Sequence, residues 1–298
     1  MSTTTTTTTT TAGSTMSDVL VVIGVGGMGE AIARRIGTGK TVLLADFDAA
    51  LLERTASALR GDGFAVETRP VDVASRESVR SLAEQAAALG AVVQIAHTAG
   101  LSPVQAPIEA VLAVDLVGVS HTIDEFGTVI ASGGAGVVIA SNAGQQAADA
   151  LPADVQRALA DTPTDQLLDL PFLAALPDPG AAYSVAKRAN QVRMYAASAA
   201  WGRRGARINT ISPGVISTPM GQAELGGQHG EVMRAMIATS GTGRIGTASD
   251  IAAAAEFLLG PNATFVTGTD LLVDGGVTAA VRSGALALPR PDGRPTQA

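Results

Sequence analysis

A tyrosine and a lysine lie four residues apart in a chain that contains few of either. Tyr183 and Lys187 are the first and last residues of the segment Tyr-Ser-Val-Ala-Lys. The only other tyrosine and lysine in the chain are Tyr195 and Lys40. Residues at this spacing share one face of a helix. A free phenol ionises near pH ~10, but a neighbouring cation favours the phenolate. The pair therefore indicates a proton donor or acceptor that works near neutral pH, and a merely half-exposed helix pair is the alternative.

A glycine-rich segment with the spacing of a dinucleotide-binding loop lies between the first predicted strand and the first predicted helix. Gly24-Val-Gly-Gly-Met-Gly29 contains G-x-G-x-x-G, and Asp46 follows about 20 residues later, after the second predicted strand. Such glycines let the backbone approach a pyrophosphate at the helix N-terminus. An ordinary tight turn is the alternative for the loop alone. The residues of this part of the predicted cofactor site are Gly24, Gly26, Gly27, Met28, Gly29, Asp46 and Phe47.

The residue type at position 46 predicts which dinucleotide is bound. A carboxylate there accepts hydrogen bonds from ribose hydroxyls and repels a 2′-phosphate. Phe47 and Asp48 follow Asp46, so no arginine stands beside it to bind that phosphate. We therefore expect NAD(H) rather than NADP(H).

The elements that must position these residues are predicted from alternating β-branched runs and alanine-rich stretches. This rhythm is typical of an α/β protein: a single-domain, Rossmann-type, doubly wound parallel sheet of about seven strands with helices on both faces. The predicted strands are 19–23, 41–45, 65–70, 92–96, 137–140, 207–211 and 271–273. The predicted helices are 29–36, 49–59, 75–89, 108–130, 181–201 and 249–259.

Composition excludes several classes of protein. The chain has 298 residues and a formal net charge of −7, which opposes a nucleic-acid partner. It has no cysteine, and its three histidines are scattered, so we expect neither disulfides nor a metal site. No apolar stretch free of glycine and charge reaches the length of a membrane span. We expect a cytoplasmic protein that binds no membrane.

Sequence character also predicts the domain organisation. Residues 1–17 include an unbroken threonine run and lack the features of a signal peptide, so we expect a disordered tail. Residues 18–278 form the predicted dinucleotide-binding catalytic domain. Residues 279–298 end in a segment rich in proline and arginine, and we expect a flexible C-terminal tail there.

The ordered set of motifs resembles the short-chain dehydrogenase/reductase family from about residue 19 to residue 277. Each motif is common alone, but their order is specific. Besides the glycine loop and Tyr-x-x-x-Lys, the motifs are Asp72-Val73, Ala99-Gly100, Ser141, Pro213-Gly214-Val-Ile216-Ser-Thr218 and Val273-Asp-Gly-Gly.

The resemblance implies roles for the catalytic residues. Tyr183 would pass a proton to or from the substrate oxygen, while Lys187 lowers its pKa and holds the nicotinamide ribose. Ser141 would hydrogen-bond the same oxygen and stabilise its developing charge. A strand-end cap is the alternative for Ser141.

The resemblance also implies the rest of the cofactor site. Asp72, with Val73 beside it, would hold the adenine, and Gly100 after Ala99 would leave room for the cofactor backbone. Within the segment that begins Pro213-Gly214, Ile216 and Thr218 would anchor the carboxamide. A turn residue is the alternative for Thr218.

Three departures from the family pattern affect the expected chemistry. The glycine loop has two residues, rather than three, between Gly24 and Gly27. His97-Thr98 stands where the family has two asparagines, and we expect His97 to be a packed, hydrogen-bonded residue. Asp115 occupies the position of the family's catalytic asparagine, which supports a water near the lysine. We expect the proton relay to survive, with Asp115 also stabilising protonated Lys187 and weakening its pull on the Tyr183 pKa.

Two excursions from the sheet pattern are predicted near the active site. The first, residues 145–180, is called the insert. Its pattern predicts two short helices, 153–160 and 164–175, the second broken by Pro171. Its apolar residues would line a substrate pocket or pack between subunits: Leu167, Leu168, Leu170, Phe172, Leu173 and Leu176. The second, residues 221–243, is called the substrate loop, with Leu225, Met233, Met236 and Ile237 available to contact substrate.

These features together predict an NAD(H)-dependent oxidoreductase that interconverts a secondary alcohol and a ketone, on a bulky apolar substrate. An epimerase or dehydratase of the same family is an alternative, as is a dinucleotide-binding regulatory or scaffold protein without turnover. By resemblance, we expect a homodimer or homotetramer that pairs through the helices at 115–130 and 181–201.

Overall fold

The computed structural model describes residues 16–227 and 230–286. The predicted N-terminal tail lies almost entirely outside these residues, as do positions 287–298 of the predicted C-terminal tail. No helix in the described ranges is both long and apolar enough to cross a membrane.

Seven parallel strands form the central sheet, as predicted. Their order across the sheet is β3-β2-β1-β4-β5-β6-β9, and β7 and β8 form a separate two-stranded ladder. The strands are β1 Asp18–Ile23, β2 Thr41–Asp46, β3 Ala65–Pro70, β4 Ala91–His97, β5 Ala135–Ile139, β6 Arg207–Pro213, β7 Ile216–Ser217, β8 Gly246–Thr247 and β9 Asp270–Val273. The order reverses between β1 and β4, which is where doubly wound sheets bind ligands.

Helices cover both faces of the sheet. They are α1 Gly27–Ile36, α2 Ala49–Gly61, α3 Arg76–Leu89, α4 Ile108–Val111, α5 Val119–Val129, α6 Asn142–Ala150, α7 Ala153–Asp161, α8 Pro179–Arg203, α9 Pro219–Gly226, α10 Gly230–Thr239, α11 Ala248–Leu259 and α12 Val277–Arg282. Side chains cap several N-termini: Asp48 accepts from two backbone amides of α2, and Thr247 forms a capping box with Asp250.

Two apolar layers hold the sheet between its helices. On one face, Val21 of β1 belongs to a cluster with Leu82 of α3 and Phe126 of α5. On the other, Val22 belongs to a cluster with Ile32 of α1 and Leu258 of α11. Because β1 is buried on both faces, its sequence is a continuous apolar run rather than an alternating one. Each such side chain contributes about 1.5–3 kcal/mol when buried.

The insert packs on helices of its own chain. Leu159 and Leu167 are fully buried in a third apolar cluster, together with residues of α8 and of the π-helix Leu112–Gly118. Arg193 of α8 donates to the backbone oxygens of Leu159 and Thr162, at 3.1 and 2.8 Å. The same guanidinium donates to the Thr164 hydroxyl at 2.9 Å. The insert is therefore fixed to α8 by both apolar and polar contacts.

The structure differs from the predicted elements at four points. The predicted helix at 164–175 is two 3-10 helices, Thr164–Asp169 and Pro171–Ala175, because Pro171 begins a new turn. The predicted helix at 108–130 contains a π-helical segment, Leu112–Gly118. Helix α6 follows Ser141 without having been predicted. Helix α12 crosses the predicted domain end at residue 278, since Asp274 accepts from the backbone amide of Thr278 at 2.7 Å.

The insert covers part of the two helices through which pairing is predicted. Along α8, Ala182, Val185 and Ala189 are buried in the cluster that contains the insert. The C-terminal half of α8 keeps exposed positions at Tyr195 and Ala196. The homodimer or homotetramer stays a prediction.

Candidate active site

A cleft of about 1020 Å³ opens at the carboxyl ends of the central strands. It brings together ten of the predicted site residues, contributed by α1, the loop after β4, the π-helix, the end of β5, α8 and the segment after β6. They are Met28, Gly100, Asp115, Ser141, Tyr183, Lys187, Pro213, Gly214, Ile216 and Thr218. This is the edge of the sheet at which a doubly wound fold places its ligand site.

Lys187 and Asp115 form a buried ion pair in this cleft. Lys187 Nζ lies 2.9 Å from Asp115 Oδ1, and the two side chains are 5% and 0% exposed. The other carboxylate oxygen, Oδ2, accepts from the backbone amide of Leu101 at 3.0 Å. A Cβ atom on Gly100 would lie 2.5 Å from Asp115 Oδ1, so only glycine leaves room for the carboxylate. Loss of either charged partner would leave an uncompensated charge, at a cost of about 3–5 kcal/mol.

The Tyr183 phenol lies beside this pair, and its pKa is raised rather than lowered. Burial is the largest cause, and it outweighs the opposing effect of Lys187, whose Nζ is 5.3 Å from the ring centroid. The Asp115 charge raises the pKa further, whereas the Ser141 hydroxyl lowers it. Lys187 lowers the pKa as expected, but the net lowering that the sequence led us to expect is wrong, and the phenol is protonated at neutral pH.

The pKa of Lys187 is also raised. Burial by itself lowers it, but the charge of Asp115 and the nearby Tyr183 outweigh the burial. Lys187 is therefore a permanent cation whose charge is largely compensated by Asp115.

Ser141 both caps a helix and faces the cleft. Its Oγ accepts from the backbone amide of Ala143 at 3.1 Å, which makes it the N-cap of α6. The two alternatives for this residue are thus compatible. The cap fixes the rotamer of Ser141 and so orients the hydroxyl near Tyr183.

The glycine loop has the shape of a dinucleotide cradle. Gly24 has φ of +88°, and a Cβ on it would lie 2.4 Å from the Ala99 backbone nitrogen. A Cβ on Gly29 would lie 1.9 Å from Gly24 O, so these two glycines permit close packing of strand and helix. Gly26 has nothing within 4 Å of its Cβ position, which leaves open space at the N-terminus of α1. The loop therefore fits the pyrophosphate of a dinucleotide.

Asp46 shapes the same loop. One carboxylate oxygen accepts from the backbone amide of Val25 at 2.8 Å, and the other accepts from that of Asp48 at 2.9 Å. Phe47 beside it is 79% exposed. The Asp46 side chain therefore lies between the glycine loop and solvent, on the side from which a ribose hydroxyl would approach in the expected complex.

Asp72 and Val73 do not line the cleft, whereas Thr218 lines it and also caps a helix. Asp72 is exposed and accepts from the Ala74 amide at 3.0 Å, which shapes the turn after β3. Val73 is buried, and a Cβ on Gly118 would lie 2.7 Å from its Cγ2. Thr218 caps α9 by accepting from the Gly221 amide at 3.1 Å, which agrees with its alternative role as a turn residue.

His97 is a packed, hydrogen-bonded residue, as expected. Its side chain is fully buried, and Nδ1 lies 3.0 Å from the Thr122 hydroxyl. Burial, and then the Lys187 charge, lower the pKa of His97 to about 3. The imidazole is therefore neutral at physiological pH.

The substrate loop reaches the cleft, and the insert leucines do not. None of the six apolar insert residues proposed as pocket lining is among the lining residues, and Leu167 and Leu173 are buried elsewhere. Met233 and Met236 line the cleft as predicted, whereas Leu225 and Ile237 do not. Of the two alternatives for these six apolar residues, lining the pocket is therefore wrong, although Asp178, Pro179 and Gly180 at the end of the insert do line the cleft.

Sequence reasoning missed several residues of the cleft. Met220 and Glu224 lie four apart on α9, and both face the cleft. Ser102, which is fully buried, donates to Glu224 Oε1 at 2.6 Å. The i, i+4 spacing of Met220 and Glu224 was the available signal, but it needed the helix at 219–226 to be recognised first.

Comparison with known proteins gives a consistent set of relatives. The family model described as short chain dehydrogenase matches residues 18–153, and that described as Enoyl-(Acyl carrier protein) reductase matches residues 173–278. The chain is 46% identical over 261 residues to "Short-chain dehydrogenase/reductase bsc3" of Alternaria brassicicola, covering 87% of this chain and 95% of that protein.

Two further matches extend this result. "Galactitol 2-dehydrogenase (L-tagatose-forming)" of Cereibacter sphaeroides is 30% identical over 267 residues, covering 86% of this chain and 93% of that protein. The crystal structure of a dehydrogenase/reductase from Sinorhizobium meliloti 1021 superposes with a TM-score of 0.68 and 26% identity, covering 88% of this chain and 96% of that one.

Proposed function

Because the chain belongs to the short-chain dehydrogenase/reductase family of oxidoreductases, we propose that it interconverts a secondary alcohol and a ketone with NAD(H). One observation carries the proposal: Ser141, Tyr183 and Lys187 share one cleft at the carboxyl edge of the sheet. The adjoining glycine loop has the open space that a dinucleotide needs.

The proposed chemistry divides between cofactor and side chains. The nicotinamide, when bound, supplies or accepts the hydride. In ketone reduction, the Tyr183 hydroxyl donates its proton to the substrate oxygen, and in alcohol oxidation it takes the proton back. Ser141 hydrogen-bonds the same oxygen and stabilises the negative charge that develops on it. The raised pKa of Tyr183 keeps the phenol protonated at neutral pH, as proton donation to a ketone requires.

In this proposal Asp115 positions Lys187. The 2.9 Å ion pair holds the ammonium at the base of the cleft, close to the Tyr183 ring. The carboxylate is itself fixed by the Leu101 amide. Asp115 would thereby keep the proton relay working, although it replaces a neutral asparagine.

The carboxylate at the end of the second strand supports a proposed preference for NAD(H). Asp46 stands at its end, with Phe47 and Asp48 rather than arginine next in the chain. A carboxylate at this position favours free ribose hydroxyls and repels a 2′-phosphate. The loop would hold the pyrophosphate, and Ile216 and Thr218 would anchor the carboxamide.

We also propose a bulky apolar substrate. The residues that support this are in the substrate loop and its neighbours, and not among the leucines of the insert. The cleft of about 1020 Å³ includes the space that the cofactor would occupy, because Met28, Gly100 and Thr218 line it. Its apolar wall is contributed by residues on α9, α10 and the loop after β4. These are Met220, Met233, Met236, Leu101 and Val104.

The test is oxidation of NADH, and separately of NADPH, against a panel of aliphatic, aromatic and cyclic ketones. We expect turnover of at least one ketone with NADH, and about a hundredfold or greater loss in Tyr183→Phe. Cofactor affinity should be nearly unchanged in that variant, because the ring is retained. Tight NADH binding with no turnover of any ketone would contradict the proposal and favour a regulatory protein.

A further inference from the structure

The side chains that line the catalytic cleft carry more negative than positive charge. Among the described lining residues, Asp115, Asp178 and Glu224 are carboxylates, and Lys187 is the single cation. Asp115 lies 2.9 Å from Lys187 Nζ and compensates its charge. Asp178 caps α8 by accepting from the Ala181 amide at 2.9 Å. The charge that an incoming substrate meets in this part of the cleft is therefore negative.

Glu224 is placed to act on the substrate rather than on another charged side chain. Its Oε1 accepts from the fully buried Ser102 hydroxyl at 2.6 Å, which fixes the carboxylate without neutralising it. The ion pairs among the described residues do not include it. Its charge also reaches the reacting centre, because it adds to the effect of burial in raising the pKa of Tyr183.

None of the described residues of α9 and α10 that line the cleft is a cation. Met220 lies one turn earlier on α9, and Met233 and Met236 lie on α10, all lining the same cleft. A carboxylate or phosphate of a substrate would lose water against these thioether side chains and be repelled by Glu224. Apolar contact and electrostatic repulsion therefore select against the same ligands.

We infer that Glu224 excludes anionic substrates, so that the substrate is an uncharged or cationic hydroxy or keto compound. The inference rests on the proposed function and narrows its substrate class. Repulsion between two like charges in a partly exposed site discriminates between charged and neutral ligands by about tenfold. Glu224 is thus a specificity-determining residue, and it takes no part in the proton transfer.

The test compares a keto ester with the corresponding keto acid, which differ mainly in charge. Both are assayed at pH 8, where an ordinary histidine is uncharged. For the native protein we expect kcat/KM to be at least about tenfold higher for the ester. Glu224→Gln keeps an acceptor for Ser102, and it should raise kcat/KM for the acid about tenfold while changing that for the ester less than about threefold.

A control variant and a second readout separate this inference from the proposed function. Glu231→Gln removes an exposed carboxylate from α10 and should leave the ester-to-acid ratio unchanged. Calorimetric binding of both ligands to the NADH-loaded protein reports the preference even without turnover. Binding that favours the ester, with no turnover of either, would support the inference and contradict the proposed function. Equal binding of ester and acid by the native protein, or an unchanged ratio in Glu224→Gln, would overturn the inference.

Discussion

The insert and the substrate loop both leave the sheet near the proposed catalytic residues, yet they are held in different ways. The insert buries Leu159 and Leu167 completely and is fixed by the guanidinium of Arg193. The described part of the substrate loop contains no fully buried large side chain, and its methionines Met233 and Met236 face the cleft. A segment that joins two proposed catalytic residues can therefore be structural, because its position depends on which residues its apolar side chains pack against.

The largest expected effect is on stability, in the insert. Arg193→Ala would leave the backbone oxygens of Leu159 and Thr162 without their donor, and would leave space on α8. We expect the free energy of unfolding to fall by about 3–5 kcal/mol, measured by urea denaturation. Arg157→Ala, an exposed arginine of the same insert, is the control and should cost less than about 0.5 kcal/mol. Equal effects in the two variants would show that the insert is not anchored through α8.

A pair of adjacent leucines tests the packing of the insert against its proposed role in the pocket. Leu167 is fully buried, whereas Leu168 is 52% exposed. We expect Leu167→Ala to lower the free energy of unfolding by about 3 kcal/mol, and Leu168→Ala by less than about 0.5 kcal/mol.

Neither substitution should change KM in the folded protein, since neither side chain lines the cleft. A rise in KM for bulky ketones in either variant, with stability unchanged, would show that these leucines of the insert contribute to the substrate pocket.

The substrate loop should show the opposite behaviour. Met236→Ala removes a part of the apolar wall that is not fully buried, so we expect less than about 1 kcal/mol of lost stability. KM for bulky apolar ketones should rise about three- to tenfold, because the lost contact is made to substrate. Steady-state kinetics with a small and a bulky ketone measures the effect. A stability loss like that of Leu167→Ala, with KM unchanged, would show that Met236 is a packing residue like Leu167 and does not contact substrate.

The smallest effect concerns the pH profile of ketone reduction. In the proposed mechanism ketone reduction requires protonated Tyr183, so we expect activity below the pKa of that phenol and its loss as the pH rises through that pKa. Asp115 and Glu224 both add to the raised pKa that burial causes, Asp115 more strongly. The alkaline limb of kcat should therefore move to lower pH in Asp115→Asn, and by less in Glu224→Gln.

Asp165→Asn in the insert should leave this limb in place, since Asp165 is not among the causes of the Tyr183 pKa. Activity at neutral pH should be retained in Glu224→Gln. Turnover that rises many-fold at neutral pH in Asp115→Asn would mean that the native carboxylate impairs the relay. The folded fraction of Asp115→Asn must be checked by circular dichroism, because Lys187 loses its buried partner.

Much of the fold was predictable because local patterns determine it. The continuous apolar run in β1 predicts a strand buried on both faces, and the glycines after it predict the turn toward α1. Helix α6 and the π-helical segment were missed for a different reason. Ser141 becomes a cap only when the chain turns there, and the apolar periodicity of residues 112–118 does not distinguish a π-helix from an α-helix.

The sequence by itself determined which chemical groups the protein has and their order along the chain: the glycine loop, Asp46, Ser141, Tyr183 and Lys187. These follow from residue type and short-range spacing. Only the tertiary structure decided that burial outweighs Lys187 in the pKa of Tyr183, that the insert packs on α8, and that Glu224 faces the cleft. The reason is physical: desolvation, charge interaction and packing act through space, between residues that sequence separation does not place together.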